Sequence, residues 1–351
     1  MTIRFLSIAM ILSVAVCPLW AADIPRTSNG LPDLSGTYDT QTVTPLNRPK
    51  KYGERLHLTD EEAQEAFDKV RAFQERAYTA SDPNRERIAA GKGGAGSFGA
   101  AVGGYNSFYH ERGEAPMMVD GKYRTSILTV PADGRQPEMT AEGKKRKHWM
   151  DVLTLHDNTG DAWWIRDGID PSPYDDMELR PHDERCLVGS GPVAGPPILP
   201  FAYNNLKRVI QTDDYVMILA EMVHDARIIR LNAEHDPPDI RKWFGDSVGH
   251  WEGDTLVVDT INFGDITALR HGSRDLHVVE RFTRVDANSL HYEFMVTDPN
   301  IWTGKWGGEY VWPSTDKRVY EYACHEGNYA MMGIMRGGRV MEKETREKMA
   351  K

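Results

Sequence analysis

Cysteine is scarce in this chain, with 3 in 351 residues, and positive charge is outnumbered, with 42 Lys and Arg against 52 Asp and Glu. Each shortage excludes something. A net charge of −10 argues against nucleic acid as a partner, because phosphates call for basic patches. No C-x-x-C, H-x-H or H-E-x-x-H spacing occurs, so no local motif announces zinc. Metal-independent chemistry without a cofactor is the expectation, and a divalent ion held by His182, His325 and a carboxylate is the alternative. Beyond the first 22 residues no run is apolar enough to cross a bilayer, so an integral membrane protein is not expected.

The one apolar stretch lies at the start. Arg4 precedes an apolar run from Phe5 to Val16, and the small residues Ala21 and Ala22 follow. That pattern predicts a signal peptide over residues 1–22, cleaved near Ala22, and hence a soluble periplasmic or secreted protein. Cys17 follows Val16 instead of a small residue, which argues against lipoprotein processing. Its removal leaves Cys186 and Cys324, an even pair that invites a disulfide in an oxidising compartment. Closing so long a loop is worth about 4–5 kcal/mol on the chain-entropy argument. Nothing in the sequence sets an oligomeric state.

Hydrophobic residues make up 40% of the chain, enough for a real core, and 9 Trp and 14 Tyr can fill it or grip a ligand. Residues 23–150 read as an irregular and helical section, with "GLPDLSGTYDT" as an entry strand or loop. Thr59 and Glu62 make a capping box, and Ala63, Ala66, Phe67, Val70, Phe73 and Ala77 recur at helical spacing. Pro83 should stop that helix. The glycine-rich "GKGGAGSFGAAVGGYNSF" lacks phosphate-loop spacing and reads as a loop or lid. "YRTSILTVPADGRQP" reads as a short strand and a turn, and "TAEGKKRKHW" as helical or irregular.

Residues 151–340 change character. "DAWWIRDG" suggests a strand, and a long irregular stretch follows as far as "FAYNN". Eight strands then pair as four hairpins: "DYVMILAEMV" with "ARIIRL" across His224 and Asp225, "GHWEG" with "TLVVDTINF", "LHVVERFTRV" with "LHYEFMVTD", and "GGEYVW" with "RVYEYACHE". The fold class is mainly β, an antiparallel barrel or sandwich of lipocalin-like kind, ending in a polar tail over 341–351. Alternation places Glu221, Glu280, Glu293 and Glu321 on solvated strand faces.

Two motifs mislead. Gly245-Asp246-Ser247-Val248-Gly249 spells the nucleophile elbow G-x-S-x-G, which needs a strand before the serine and a helix after it. Here prolines precede it and a hairpin follows, so a serine hydrolase is excluded. Tyr203-x-x-x-Lys207 has the spacing of a dehydrogenase pair, but no dinucleotide-binding glycine loop accompanies it.

"GGYNSFY", "RTSILTVPADGRQP", "ERCLVGSGP", "YNNLKRVIQTDDYVMILAEMVHDARII", "GDSVGHWEGDTLVVDTINF", "ERFTRVDANSLHYEFMVTDP" and "YEYACHEGNYAM" occur together here. The combination resembles a widespread group of exported bacterial proteins and covers most of the chain after residue 30. It implies export and a shared fold and carries no activity.

A Cys186–Cys324 bridge would bring His182, Asp183, Glu184 and Arg185 beside His325, Glu326, Asn328 and Tyr329. Histidines next to carboxylates suit proton transfer near neutral pH. The candidate catalytic residues are therefore His325, Glu326, His182 and Asp183, with His224 at a hairpin tip. Arg185, Tyr203, Asn328, Tyr329 and Trp302 are candidate substrate contacts. The function expected is a lyase, isomerase or hydrolase step on a small hydrophobic or aromatic molecule or a glycoside held in a barrel pocket. The alternative is a non-catalytic periplasmic binder of small molecules.

Overall fold

The structure, a computed structural model, describes residues 24–78, 84, 113–154, 160–189 and 193–351. The expected signal peptide, the glycine-rich segment and the expected helix stop at Pro83 lie outside them. The N-terminal section supplies β1 (Gly36–Asp39), α1 (Asp60–Tyr78), β2 (Met118–Val119), β3 (Lys122–Tyr123), β4 (Leu128–Val130) and α2 (Ala141–Thr154). A short α3 (Trp163–Arg166) follows. Then come β5 (Leu206–Gln211), β6 (Tyr215–Ala220), β7 (Ala226–Leu231), β8 (Asp246–Glu252) and β9 (Thr255–Ile261). The chain finishes with β10 (His277–Asp286), β11 (Ser289–Thr297), β12 (Trp306–Pro313) and α4 (Ala330–Met349). The capping box of α1 forms as expected: the Thr59 amide donates to Glu62 Oε2 at 2.9 Å and the Glu62 amide to Thr59 Oγ1 at 3.3 Å. No helix among the described residues is long and apolar enough to cross a membrane.

Ten strands make one sheet in the order β1-β5-β6-β7-β8-β9-β10-β11-β12-β4, curled into a half-barrel. Its two edges come from the N-terminal section, so that section completes the sheet. Just beyond β12, the Thr315 amide donates to the Thr37 carbonyl of β1 at 2.9 Å, drawing one edge toward the other end of the sheet. On the outer face, Arg124 and His291 both hold Glu309, the histidine at 2.8 Å.

Three of the expected hairpins are present, β6–β7, β8–β9 and β10–β11. The fourth is not. β12 pairs with β11 and β4, and residues 318–326 form no strand. With β4 already beside β12, "RVYEYACHE" has no free edge and is held by single contacts, including the Tyr320 amide to Glu221 Oε1 at 3.2 Å. Neighbouring β7 and β8 are parallel, so the chain crosses between them through residues 232–245. A polar chain ties that crossover to the sheet. Buried Asp246 accepts from Lys242 Nζ and Arg230 at 2.8 Å, from the Asp236 amide at 2.9 Å and from His235 Nδ1 at 3.0 Å. His235 Nε2 lies 2.9 Å from Asp259, which also meets His277 at 2.6 Å. Burial pushes the Asp246 carboxyl up, but the hydrogen bonds from Lys242, Asp236 and His235 outweigh it and hold it well below the usual range.

Two further expectations fail for one reason. "DAWWIRDG" is the helical turn α3, and residues 341–351 belong mostly to α4. Trp163 and Trp164 are both buried, and they pack edge to face at 5.7 Å. Their cover is α4, where buried Glu342 accepts from Trp164 Nε1 at 2.9 Å and from Ser172 Oγ at 2.5 Å. Thr345 Oγ1 accepts the Ala162 amide at 2.9 Å.

The concave face of the sheet is filled. Phe282, Tyr292, Tyr310, Trp306 and Trp312 alternate inward and pack together, Tyr292 lying 4.8 Å from Trp312. Ile198 enters from the long irregular stretch: its amide donates to Tyr292 Oη and its carbonyl accepts from Tyr310 Oη, both at 2.9 Å. Glu280 points inward too and is fully buried, contrary to the solvated position expected. It lies in phase with Val278 and Phe282, so alternation puts it in the core. Arg227 compensates, donating to Glu280 Oε1 at 3.0 Å and pairing again with Oε2. Tyr292 Oη donates to the same carboxylate at 2.8 Å.

Removing one partner of such a pair strands a buried charge. Arg227→Met should lower the unfolding free energy by roughly 3–5 kcal/mol, measured by urea denaturation. Adding Glu280→Leu to it should restore much of the loss.

Candidate functional site

The turn Glu221–Asp225 between β6 and β7 is the most constrained piece of backbone near any polar cluster. Val223 and His224 sit at φ 58° and 47°, two consecutive non-glycine residues in the left-handed region. For a β-branched residue this conformation costs on the order of 1–3 kcal/mol and persists only where the surroundings fix it. They do so here. The Ala220 amide donates to the Asp225 carbonyl at 2.8 Å, closing the turn. Val223 and Met222 are buried with Val193, and Phe201, Tyr203 and Tyr322 pack around them. Buried Glu221 accepts from Asn204 Nδ2 at 3.3 Å, besides the Tyr320 amide.

Asp225 closes the turn with its side chain inward, 9% exposed. Its Oδ2 accepts the Gly189 amide at 2.9 Å, and Oδ1 has no hydrogen-bond partner among the described residues. Burial pushes this carboxyl up to about 6, and the Gly189 hydrogen bond and nearby His224 pull it back only in part. The His224 ring is exposed, with Nδ1 3.3 Å from the Tyr322 carbonyl.

Gly189 stands on the wall of a cleft of about 700 Å³, open mouth included. Trp149, Met150, Ile266 and Ala268 give it apolar sides, and His182, Asp183, Thr267 and Arg270 give it polar ones. The His182 ring packs 5.3 Å from Trp243. Burial lowers its proton affinity and Arg185 lowers it further, with Asp183 opposing. A neutral imidazole therefore faces the cleft at pH 7. Arg180, behind it, is committed to Glu184 through two 2.9 Å bonds and lies over the Tyr174 ring.

The Cys186–Cys324 disulfide is present, with S–S 2.01 Å and Cα–Cα 5.7 Å. It brings "HDER" beside "HEGNY", and Asn328 Nδ2 donates to the Glu184 carbonyl at 2.9 Å. The candidate residues nonetheless divide. His182 and Asp183 line the cleft. His325 and Glu326 are exposed, without a polar partner among the described residues, and Tyr329 is 83% exposed. His224 and Tyr203 belong to the strained turn and its packing. Trp302 is a core residue, edge-on to Trp306 at 5.4 Å.

Ser247 is buried within β8, bonded to Arg227 Nε at 3.0 Å and Thr260 Oγ1 at 2.9 Å, so the elbow serine is structural. Gly245 is needed because a Cβ there, at φ +69°, would meet the Ile261 carbonyl at 2.7 Å. Lys207 is fully buried, its Nζ donating to the Asn204 carbonyl at 3.3 Å. No group of three His, Cys, Asp or Glu among the described residues is arranged to hold a metal ion. The sequence offers Asp225 only as the neighbour of His224 at a hairpin tip and Glu221 only as a strand acid facing solvent, and it gives no sign of Asn204 or Gly189. No family model matches the chain, and no curated protein matches it.

Because Asp225 binds its proton more tightly folded than unfolded, its ionisation opposes folding. The penalty is absent below the unfolded value near 4, grows as pH rises, and is complete above about 6, on the order of 2–3 kcal/mol. Asp225→Asn should therefore be more stable than the parent at pH 7 and indistinguishable from it at pH 3.5, measured by thermal unfolding at both.

Proposed function

We propose that this is an exported enzyme that moves protons on a small apolar or aromatic substrate, or a glycoside, bound in the cleft beside Gly189. The observation that supports this reading best is the raised carboxyl of Asp225, buried at the end of a strained turn. Strain and a perturbed buried acid together are the pattern of a functional site, because folding alone is better served by neither. A carboxyl titrating near 6 can give and take a proton at physiological pH. Neutral His182, across the Gly189 wall, is the complementary base. Asp183 orients its polarity, and Arg270 with Thr267 can meet a polar substituent on an otherwise apolar ligand. Such a pair serves a lyase, isomerase or hydrolase step. The disulfide favours export, since such bridges persist in oxidising compartments.

A binding protein that uses the same cleft is the competing reading. The two differ in what Asp225 is for. A binder gains nothing from a carboxyl that destabilises it at neutral pH.

Screening phenolics, aromatic acids and glycosides by thermal shift, then for turnover, gives the test. Asp225→Asn and His182→Gln should each lower kcat/KM by roughly 10²–10⁴-fold, and the Asp225 variant should lose a pH limb near 6. His325→Ala should leave turnover unchanged. Full activity in Asp225→Asn would refute the assignment.

A further inference from the structure

A second groove, unrelated to the cleft, is lined with sulfur. Met331, Met332 and Met335 lie in the first turns of α4, and Met177 faces the same space from the helical turn Met177–Leu179. Met331 and Met335, four residues apart, share one face of the helix. Met332 is 76% exposed and Met177 55% exposed, and none of the four belongs to a hydrophobic cluster among the described residues. Gap-filling in a core, the common use of methionine, does not account for them.

The hard donors nearby are already engaged. Asp175 pairs with Arg339 at 2.8 Å, and Asp176 caps the Glu178 amide at 2.9 Å. Among the described residues no histidine lines the groove, and both cysteines are in the disulfide. What remains available is a set of neutral, polarisable thioethers on flexible side chains. Thioethers prefer soft ions and have little affinity for hard divalent ones.

We propose that Met177, Met331, Met332 and Met335 form a thioether site for a soft monovalent d10 cation, Cu(I). Neutral ligands suit a single positive charge where Arg336 and Arg339 would oppose a double one. Met177 lies on a separate segment from α4, so an ion held by all four would also clamp that segment to the helix.

Silver(I), a redox-inert surrogate, tests the site on the full chain. Native mass spectrometry and titration should show one Ag(I) per chain, and bicinchoninate competition under ascorbate should show the same for Cu(I). Replacing Met331, Met332 and Met335 together by Leu keeps the apolar surface and removes the sulfur, and should weaken binding at least tenfold. Met332→Leu and Met177→Leu, at exposed positions, should each weaken it measurably and decide the matter if the triple variant does not fold. Bound Ag(I) should also protect these methionines from peroxide, read by peptide mass. Absence of stoichiometric binding, or equal binding by the leucine variants, overturns the proposal. The second outcome would mark the groove as an apolar docking surface.

Discussion

The buried pair of Arg227 and Glu280 is the interaction on which the rest of the interior is arranged. A carboxylate with no exposure is tolerable only with a matched cation and its remaining lone pairs engaged. Arg227 takes both oxygens, Tyr292 takes one again, and Ser247 and Thr260 receive the rest of the guanidinium. β7, β8, β9, β10 and β11 each contribute one member. Five strands are thereby fixed in relative position by one charge pair, including the parallel step between β7 and β8. An all-apolar substitute could be as stable, but it would specify that crossing less sharply, because apolar contacts accept many registers.

Tyr292 carries the constraint outward. Its hydroxyl donates to Glu280 and accepts from the Ile198 amide, while Tyr310 holds the Ile198 carbonyl. The long irregular stretch is thus pinned to the core at one point. It is pinned again by the disulfide at Cys186 and by the Gly189 bond to Asp225. A loop anchored at three places is rigid enough to hold left-handed Val223 and His224 against it. Preorganisation of this kind is what a proton-transfer site requires, since the reacting groups must be placed before the substrate arrives.

Much of the fold was legible because strand alternation is a local signal. β6 and β11 follow apolar period two, and the Thr59–Glu62 box announces α1. The misreadings share a cause. α3 is a single turn, too short to show a period, and α4 covers it with Glu342 buried under Trp164. "RVYEYACHE" alternates like a strand, yet the edge it would need is occupied by β4, which is a fact about distant residues. Glu280 shows the converse: the period was visible, and the expectation that a charge faces water overrode it. For the candidate site, the even cysteine count pointed to the bridge that brings "HDER" beside "HEGNY". Which way each side chain turned was beyond local reading, so His182 and His325 looked equivalent. The left-handed turn was illegible for the same reason, since valine carries no preference for it.

The contrast between His182 and His325 carries the last step. Both lie close in sequence to the bridge, and both have acidic neighbours. Only His182 is placed where burial changes its chemistry, against Trp243 and on the wall shared with Gly189. His325 is exposed, away from the cleft that His182 lines. Sequence proximity to a carboxylate is therefore a weak criterion for a base. Desolvation is a stronger one, because burial moves the proton affinity of a group away from its value in water, down for His182 and up for Asp225. Asp225 satisfies it from a position that carries no motif.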